Sequence, residues 1–284
     1  MIRSMKHQLR TAAAACATAF AFLAPPAAQS AVVTQWTVDV DAVFDTASIV
    51  WRFGNTGTTA TPLSLRWGTP ADVGGPQSGV DIGNSPTSGT VLTNGPAVAN
   101  VSVTHLNNPI LAGTPRPEKF NIDSTLTLTP LVPSLPGLPS ATISFTVFFE
   151  ETPNAANPCA DGGANGVGVN INGCADIFVI DKNSLNFSFF YDTDGPGGDD
   201  PVQYFISFFE LTSGLNPLPQ AACDYVLDPN GQACLGFRTP ENQTTTFRFA
   251  SVITTQPVVV PEPGTLASLA LALLALGAMR RRRA

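Results

Sequence analysis

Five cysteines, two histidines and 21 acidic residues are the groups of this 284-residue chain that could bond to a metal, to one another or to a substrate. Cys159 and Cys174 bracket a Gly/Asn-rich stretch, residues 160–173, and Cys223 and Cys234 bracket a second one containing Asp228, Pro229, Asn230 and Gly231. Structural zinc asks for tight C-x2-C spacing or imidazole partners, and neither pair offers them. Disulfides are therefore expected. Of the three connectivities that four cysteines allow, 159 with 174 and 223 with 234 ask for the least chain reorganisation. Each closes a loop of about 10–15 residues, a stabilisation of roughly 2–3 kcal/mol. Cys16 lies in an apolar leader stretch and is expected to leave with it.

Catalysis has few groups to work with. His105 is the one imidazole beyond residue 30, so a Ser-His-Asp or Cys-His arrangement would have to use it, and no Gly-x-Ser-x-Gly turn is present. Glu150 and Glu151 are adjacent, and on a strand adjacent side chains point to opposite faces, so they cannot form the facing pair of a glycosidase. Glu210 is the remaining partner that Glu150 could take. These residues argue against an enzyme.

Two binding sets remain. On an extended strand His105 and Asn107 share a face with Val103, while Thr104 and Leu106 take the other. One role for Thr104, His105 and Asn107 is a hydrogen-bonded structural group that fixes the turn into Asn108 and Pro109; the alternative is a ligand contact, such as a sugar hydroxyl. Asp192, Asp194, Asp199 and Asp200 gather hard oxygen ligands on one loop, which suits Ca²⁺, although the spacing lacks the third early ligand and late Glu of an EF-hand. A solvated acidic turn is the competing reading. Apart from Ca²⁺ no cofactor is expected.

The elements that must hold these residues read as strands. Alternating segments include Trp36 to Val40, Leu63 to Trp67, Leu126 to Leu128, Ile143 to Val147, Phe187 to Phe189 and Thr246 to Phe249, each with apolar groups on one face and Ser, Thr or a charge on the other. Turn-formers such as Gly54, Asn55 and Gly57, or Gly74, Gly75 and Pro76, separate them. Periodicity predicts an all-β fold, an antiparallel β-sandwich, with the jelly roll as one form of it. Residues 145–150 and 205–210 echo each other, both ending in Phe-Phe-Glu before a cysteine-closed loop. Residues 130–139, with four prolines, are expected to be a stiff connection that divides the sandwich.

Both ends of the chain differ from this body. Arg3, Lys6 and Arg10 precede an uncharged Ala/Phe-rich stretch, and Ala28, Gln29 and Ser30 offer small residues for cleavage before Ala31, so residues 1–30 read as a signal peptide. At the other end, Pro261, Glu262 and Pro263 are followed by the apolar residues 266–279 and then by Arg280, Arg281, Arg282 and Arg283. An apolar helix of that length is about 21 Å long, short against a bilayer core of about 30 Å. The arginines stay on the cytoplasmic side and hold everything before Pro261 outside. The chain is thus expected to divide into residues 1–30, an exported body 31–256 and a terminal signal 257–284. The body holds seven basic residues against 20 acidic ones, a net charge near −13. Such a surface repels nucleic acid and anionic lipid.

The Pro-Glu-Pro triplet, short apolar helix and arginine cluster resemble the PEP-CTERM sorting signal of Gram-negative bacteria. That resemblance implies an exosortase, a membrane-embedded cysteine protease that cuts near the triplet, and a path from transient inner-membrane anchoring to the periplasm, cell surface or matrix. Within the body, Thr104, His105 and Asn107 resemble the motif that names the THxN family of PEP-CTERM proteins. Further stretches fit it: Arg66, Trp67 and Gly68; Gln77, Ser78 and Gly79; Glu151 to Asn154; Cys159 to Gly163; Asn172 to Phe178; and Gly236 and Phe237 with Thr239 and Glu241. The family resemblance implies surface or matrix proteins without established activity, in bacteria that make exopolysaccharide. A structural or adhesive role in biofilm follows from it, with carbohydrate binding or processing as the alternative. Trp36, Trp51 and Trp67 discriminate the two, because sugar stacking needs an exposed aromatic strip.

Overall fold

Alternation along the body resolves into fourteen strands in the computed structural model, which describes residues 31–180, 185–194, 200–212, 215–227 and 231–258. In chain order they are β1 (Gln35–Arg52), β2 (Thr59–Ala60), β3 (Ser64–Trp67), β4 (Ser78–Gly83), β5 (Thr87–Leu92), β6 (Val98–Asn107), β7 (Arg116–Val132), β8 (Ala141–Glu150), β9 (Asp176–Ile180), β10 (Asn186–Tyr191), β11 (Val202–Glu210), β12 (Asn216–Pro217), β13 (Leu235–Thr239) and β14 (Gln243–Thr254). A first sheet runs β12-β13-β9-β8-β7-β1-β5 and a second β10-β11-β14-β6-β4-β3-β2, all paired antiparallel. The fold is the expected all-β sandwich. The leader and the apolar C-terminal stretch expected from the sequence lie outside the described residues, as does Asp199.

The period of two is plainest in β1. Trp36, Val38, Val40, Ala42 and Phe44 are buried, and the residues between them face outward. Their opposite numbers on β7, Leu126 and Leu128, are buried in turn. Inner faces of the two sheets meet in two apolar groups. One is built around Trp36, Tyr204, Ile206 and Ile253, and the other around Trp67, Phe120, Phe149, Phe178 and Phe247. A void of about 60 Å³ remains between the sheets. Ligand pockets usually hold several hundred Å³, so this interior is packing space.

A third apolar group lies on the far side of the first sheet. Ile177 and Val179 on β9 point away from the sandwich and pack under the helix α1 (Gln220–Leu227), against Ala222 and the Cys223–Cys234 bridge. Covered on both faces, β9 is buried at every position. The neighbouring strand β13 comes so close there that a Cβ on Gly236 would sit 1.8 Å from the Phe178 carbonyl oxygen. Glycine alone fits that contact.

One expectation is corrected. Residues 130–139 do not divide the sandwich: β7 continues through Pro130, which is paired with Trp36, and the chain returns through residues 133–140 into β8 of the same sheet. Tyr191 donates its hydroxyl to the Pro136 carbonyl, and Leu135 and Leu138 pack on the core, so the proline-rich segment caps one end of it.

Candidate functional site

The second apolar group ends in a polar cluster where the sheets meet. His105 and Asn107 enter it from β6, on the inner face predicted by strand alternation, while Thr104 stays outside and bonds Thr246 across to β14. From the other sheet come Glu151, one residue beyond β8, Asp176 at the start of β9, and Thr239 at the end of β13. Glu241 lies on the connection into β14. Relative exposure is 1 % for His105, 0 % for Asn107, 7 % for Glu151, 0 % for Asp176 and 1 % for Glu241.

The hydrogen bonds span the sandwich. His105 Nδ1 lies 2.9 Å from Thr239 Oγ1, and Asn107 Nδ2 donates to the Thr239 carbonyl at 3.0 Å. Trp67 Nε1 donates to Glu151 Oε2 at 3.1 Å, and the Thr152 amide donates to Asp176 Oδ1 at 2.8 Å. The imidazole is walled by rings, stacked on Trp67 at 5.9 Å and edge-on to Phe178 at 4.8 Å. Its Nε2 faces Asp176 Oδ2 at 4.0 Å. Burial pulls the His105 pKa down to about 3, so the ring is neutral at neutral pH.

The carboxylates are the unusual part. Ligand oxygens of Glu151, Asp176 and Glu241 lie within 4.8 Å of one another. Burial pushes Glu151 up to about 8, with the Glu241 charge adding to it against the Trp67 hydrogen bond. Asp176 is raised well above the usual carboxylate range by burial and by the neighbouring Glu151 charge. Glu241 is raised by burial, with the amides of Asn154 and Asn107 alongside opposing the shift. Among the described residues no lysine or arginine pairs with these three. Arg52 and Arg116 serve another acid: both bond Glu150 Oε1, at 3.0 and 3.4 Å.

A disulfide closes the cluster. Cys159–Cys174 is formed, as is Cys223–Cys234, with Cα atoms 5.3 and 5.6 Å apart, so both local pairings expected from spacing are present. The loop held by the first bridge sends Asn172 Nδ2 to the Glu241 carbonyl, and Cys174 N donates to the Asn154 carbonyl. Asp161 of the same loop receives Arg238 at 2.6 Å.

Other expected sites are placed apart. Glu150 and Glu151 point to opposite sides as adjacent strand residues must, one to arginines and one into the cluster. Glu210 ends β11 in the other sheet and accepts from the amides of Thr212 and Arg248. Asp192 and Asp194 lie on the loop after β10, where the Asp194 amide donates to Asp192 Oδ1; Asp194 and Asp200 are exposed. Sequence reasoning reached His105, Asn107 and Thr104 but did not bring Glu151, Asp176 and Glu241 to them. The stretches carrying the family resemblance had touched every one of these residues, and the missing signal was only that they converge.

The known proteins bear on the C-terminus. Among curated proteins none matches the chain. The PEP-CTERM protein-sorting motif matches residues 259–283, which include Pro261, Glu262, Pro263 and the arginine cluster. The chain carries a PEP-CTERM sorting motif, the mark of an exported protein addressed to an exosortase through transient anchoring of its C-terminus.

Proposed function

We propose that the β-sandwich is a non-enzymatic structural or adhesive component of the cell surface or extracellular matrix, of the THxN type, released near residues 261–263 by an exosortase-type protease and retained with exopolysaccharide. One observation carries this reading beyond sorting. Trp36 and Trp67 are 0 % exposed on inner sheet faces and Trp51 is partly buried against the second apolar group, so the three do not form an exposed strip for sugar stacking. The cluster around His105 is likewise sealed from bulk substrate. An acidic surface is consistent with a neutral polysaccharide partner and inconsistent with nucleic acid.

A surface cleft gives the carbohydrate-binding alternative a place to act. A shallow surface cleft of about 440 Å³ between the Cys159 loop and α1 is lined in part by Asp224 and Tyr225, and Tyr225 is 47 % exposed. The two readings separate in one experiment on cells with a working sorting protease. Replacing Pro261, Glu262 and Pro263 by alanine should move the protein from the surface and matrix fractions to the inner membrane, and weaken matrix cohesion without altering polysaccharide chain length. An unchanged distribution would remove the sorting step from the account. Glycan-array binding abolished by Tyr225→Ala would move the function to the cleft.

A further inference from the structure

A buried acidic cluster without a basic partner is costly as it stands, because each ionised carboxylate has lost its hydration. Glu151, Asp176 and Glu241 have no arginine or lysine partner among the described residues. One oxygen each of Glu151 and Asp176 is held by Trp67 and by the Thr152 amide. Asp176 Oδ2 and both Glu241 oxygens have no hydrogen bond.

Neutral groups beside them are unpaired too. Asn107 Oδ1 and Asn154 Oδ1 are buried without a donor, and both side chains lie alongside Glu241. Asn107 is fully buried; its amide nitrogen donates to the Thr239 carbonyl, and its Oδ1 is left without a donor. The unpaired oxygens of the carboxylates and of these amides are all acceptors. Only a cation or several added protons satisfies such a set.

We propose that Glu151, Asp176 and Glu241, beside the unpaired side-chain oxygen of the buried Asn107, form a closed site for one Ca²⁺ ion. The spacing admits calcium. At Ca–O distances of about 2.3–2.6 Å, oxygens on opposite sides of the ion are about 4.6–5.2 Å apart. The three carboxylates offer oxygens within 4.8 Å of one another, close enough to reach one such ion. The donors are oxygen, as calcium prefers. His105 Nε2, also buried without a hydrogen-bond partner, faces Asp176 Oδ2 at 4.0 Å.

The site is structural. Its three carboxylates are at most 7 % exposed, so no coordination position opens to substrate. It joins the connection into β14 of the second sheet, through Glu241, to the ends of β8 and β9 of the first. A cation there latches the two sheets together once the chain has reached a compartment that contains calcium.

The test uses the full-length protein in detergent, disulfides intact and stripped with EGTA, titrated with CaCl2, MgCl2 or ZnCl2 while heat and melting temperature are followed. One equivalent of Ca²⁺ should bind and, at about a hundredfold excess over its dissociation constant, raise the melting temperature by about 5–10 °C. Glu241→Gln and Asp176→Asn keep the shape and remove charge, so the metal-free variants should fold while calcium affinity falls at least about a hundredfold. Asp192→Asn with Asp194→Asn should leave the response unchanged. Silence towards Ca²⁺, an unaltered response in Glu241→Gln, loss of the response only in the Asp192/Asp194 variant, or binding of Zn²⁺ alone would each overturn the assignment.

Discussion

Alanine at Trp36 should cost the sandwich about 3–5 kcal/mol, a fall in melting temperature of about 6–20 °C. The indole is fully buried at the start of β1 and meets Phe189, Tyr191 and Tyr204 edge-on, with centroids 5.5, 5.4 and 5.1 Å away. Two of those rings come from β10 and one from β11, so Trp36 is the contact through which the first sheet holds the edge of the second. Its Nε1 donates to Thr93 Oγ1 at 3.0 Å, and Tyr204 accepts the Val33 amide at 2.8 Å. Truncation leaves a large cavity and removes the donor to Thr93 Oγ1 together. Trp36→Phe restores most of the volume without the donor and should recover more than half of the loss. Urea denaturation of both variants, followed by circular dichroism, measures this; a loss below about 1 kcal/mol for Trp36→Ala would mean that the ring is not packed as described.

Removing the disulfides is the second large effect. Serine at Cys159 and Cys174 should cost about 3 kcal/mol, and serine at Cys223 and Cys234 nearly as much, from closed loops of sequence separation 15 and 11. Their second consequences differ. The first bridge holds the loop that contacts Asn154 and Glu241, so its loss should also weaken calcium binding. The second pins α1 to the strand after it and should leave calcium binding intact. The loops abut where Gly162 lies against Ala221, so the combined loss is not the sum of the two. Thermal melting of the two double-serine variants, with and without calcium, separates these effects. Equal loss of the calcium response in both would contradict the placement of the first bridge beside the cluster.

Legibility in the sequence followed the physics of each element. Strands with one wet face announced themselves, as in β1 and β7, because alternation is what a half-buried strand requires. β9 did not alternate, since α1 covers its outer face and every one of its residues is buried. That helix spans eight residues, too few to establish a period against its surroundings. The cysteine pairs were legible because the bridges are local. The cluster was half legible: His105 and Asn107 share a face by strand geometry alone, whereas Glu151, Asp176 and Glu241 reach them only through the packing of one sheet on the other. Proline content misled at residues 130–139, because Pro130 sits in a strand whose partner, Trp36, tolerates it within the register shift at its end.

The central claim is an exported, cystine-bridged β-sandwich separated from its C-terminal address. Intact-mass spectrometry of non-reduced protein from the cell surface tests it most directly. The predicted species starts near Ala31, ends near the Pro261 to Pro263 triplet and keeps both disulfides. A surface species that still carries Arg280 to Arg283, in cells with a working sorting protease, would contradict the account.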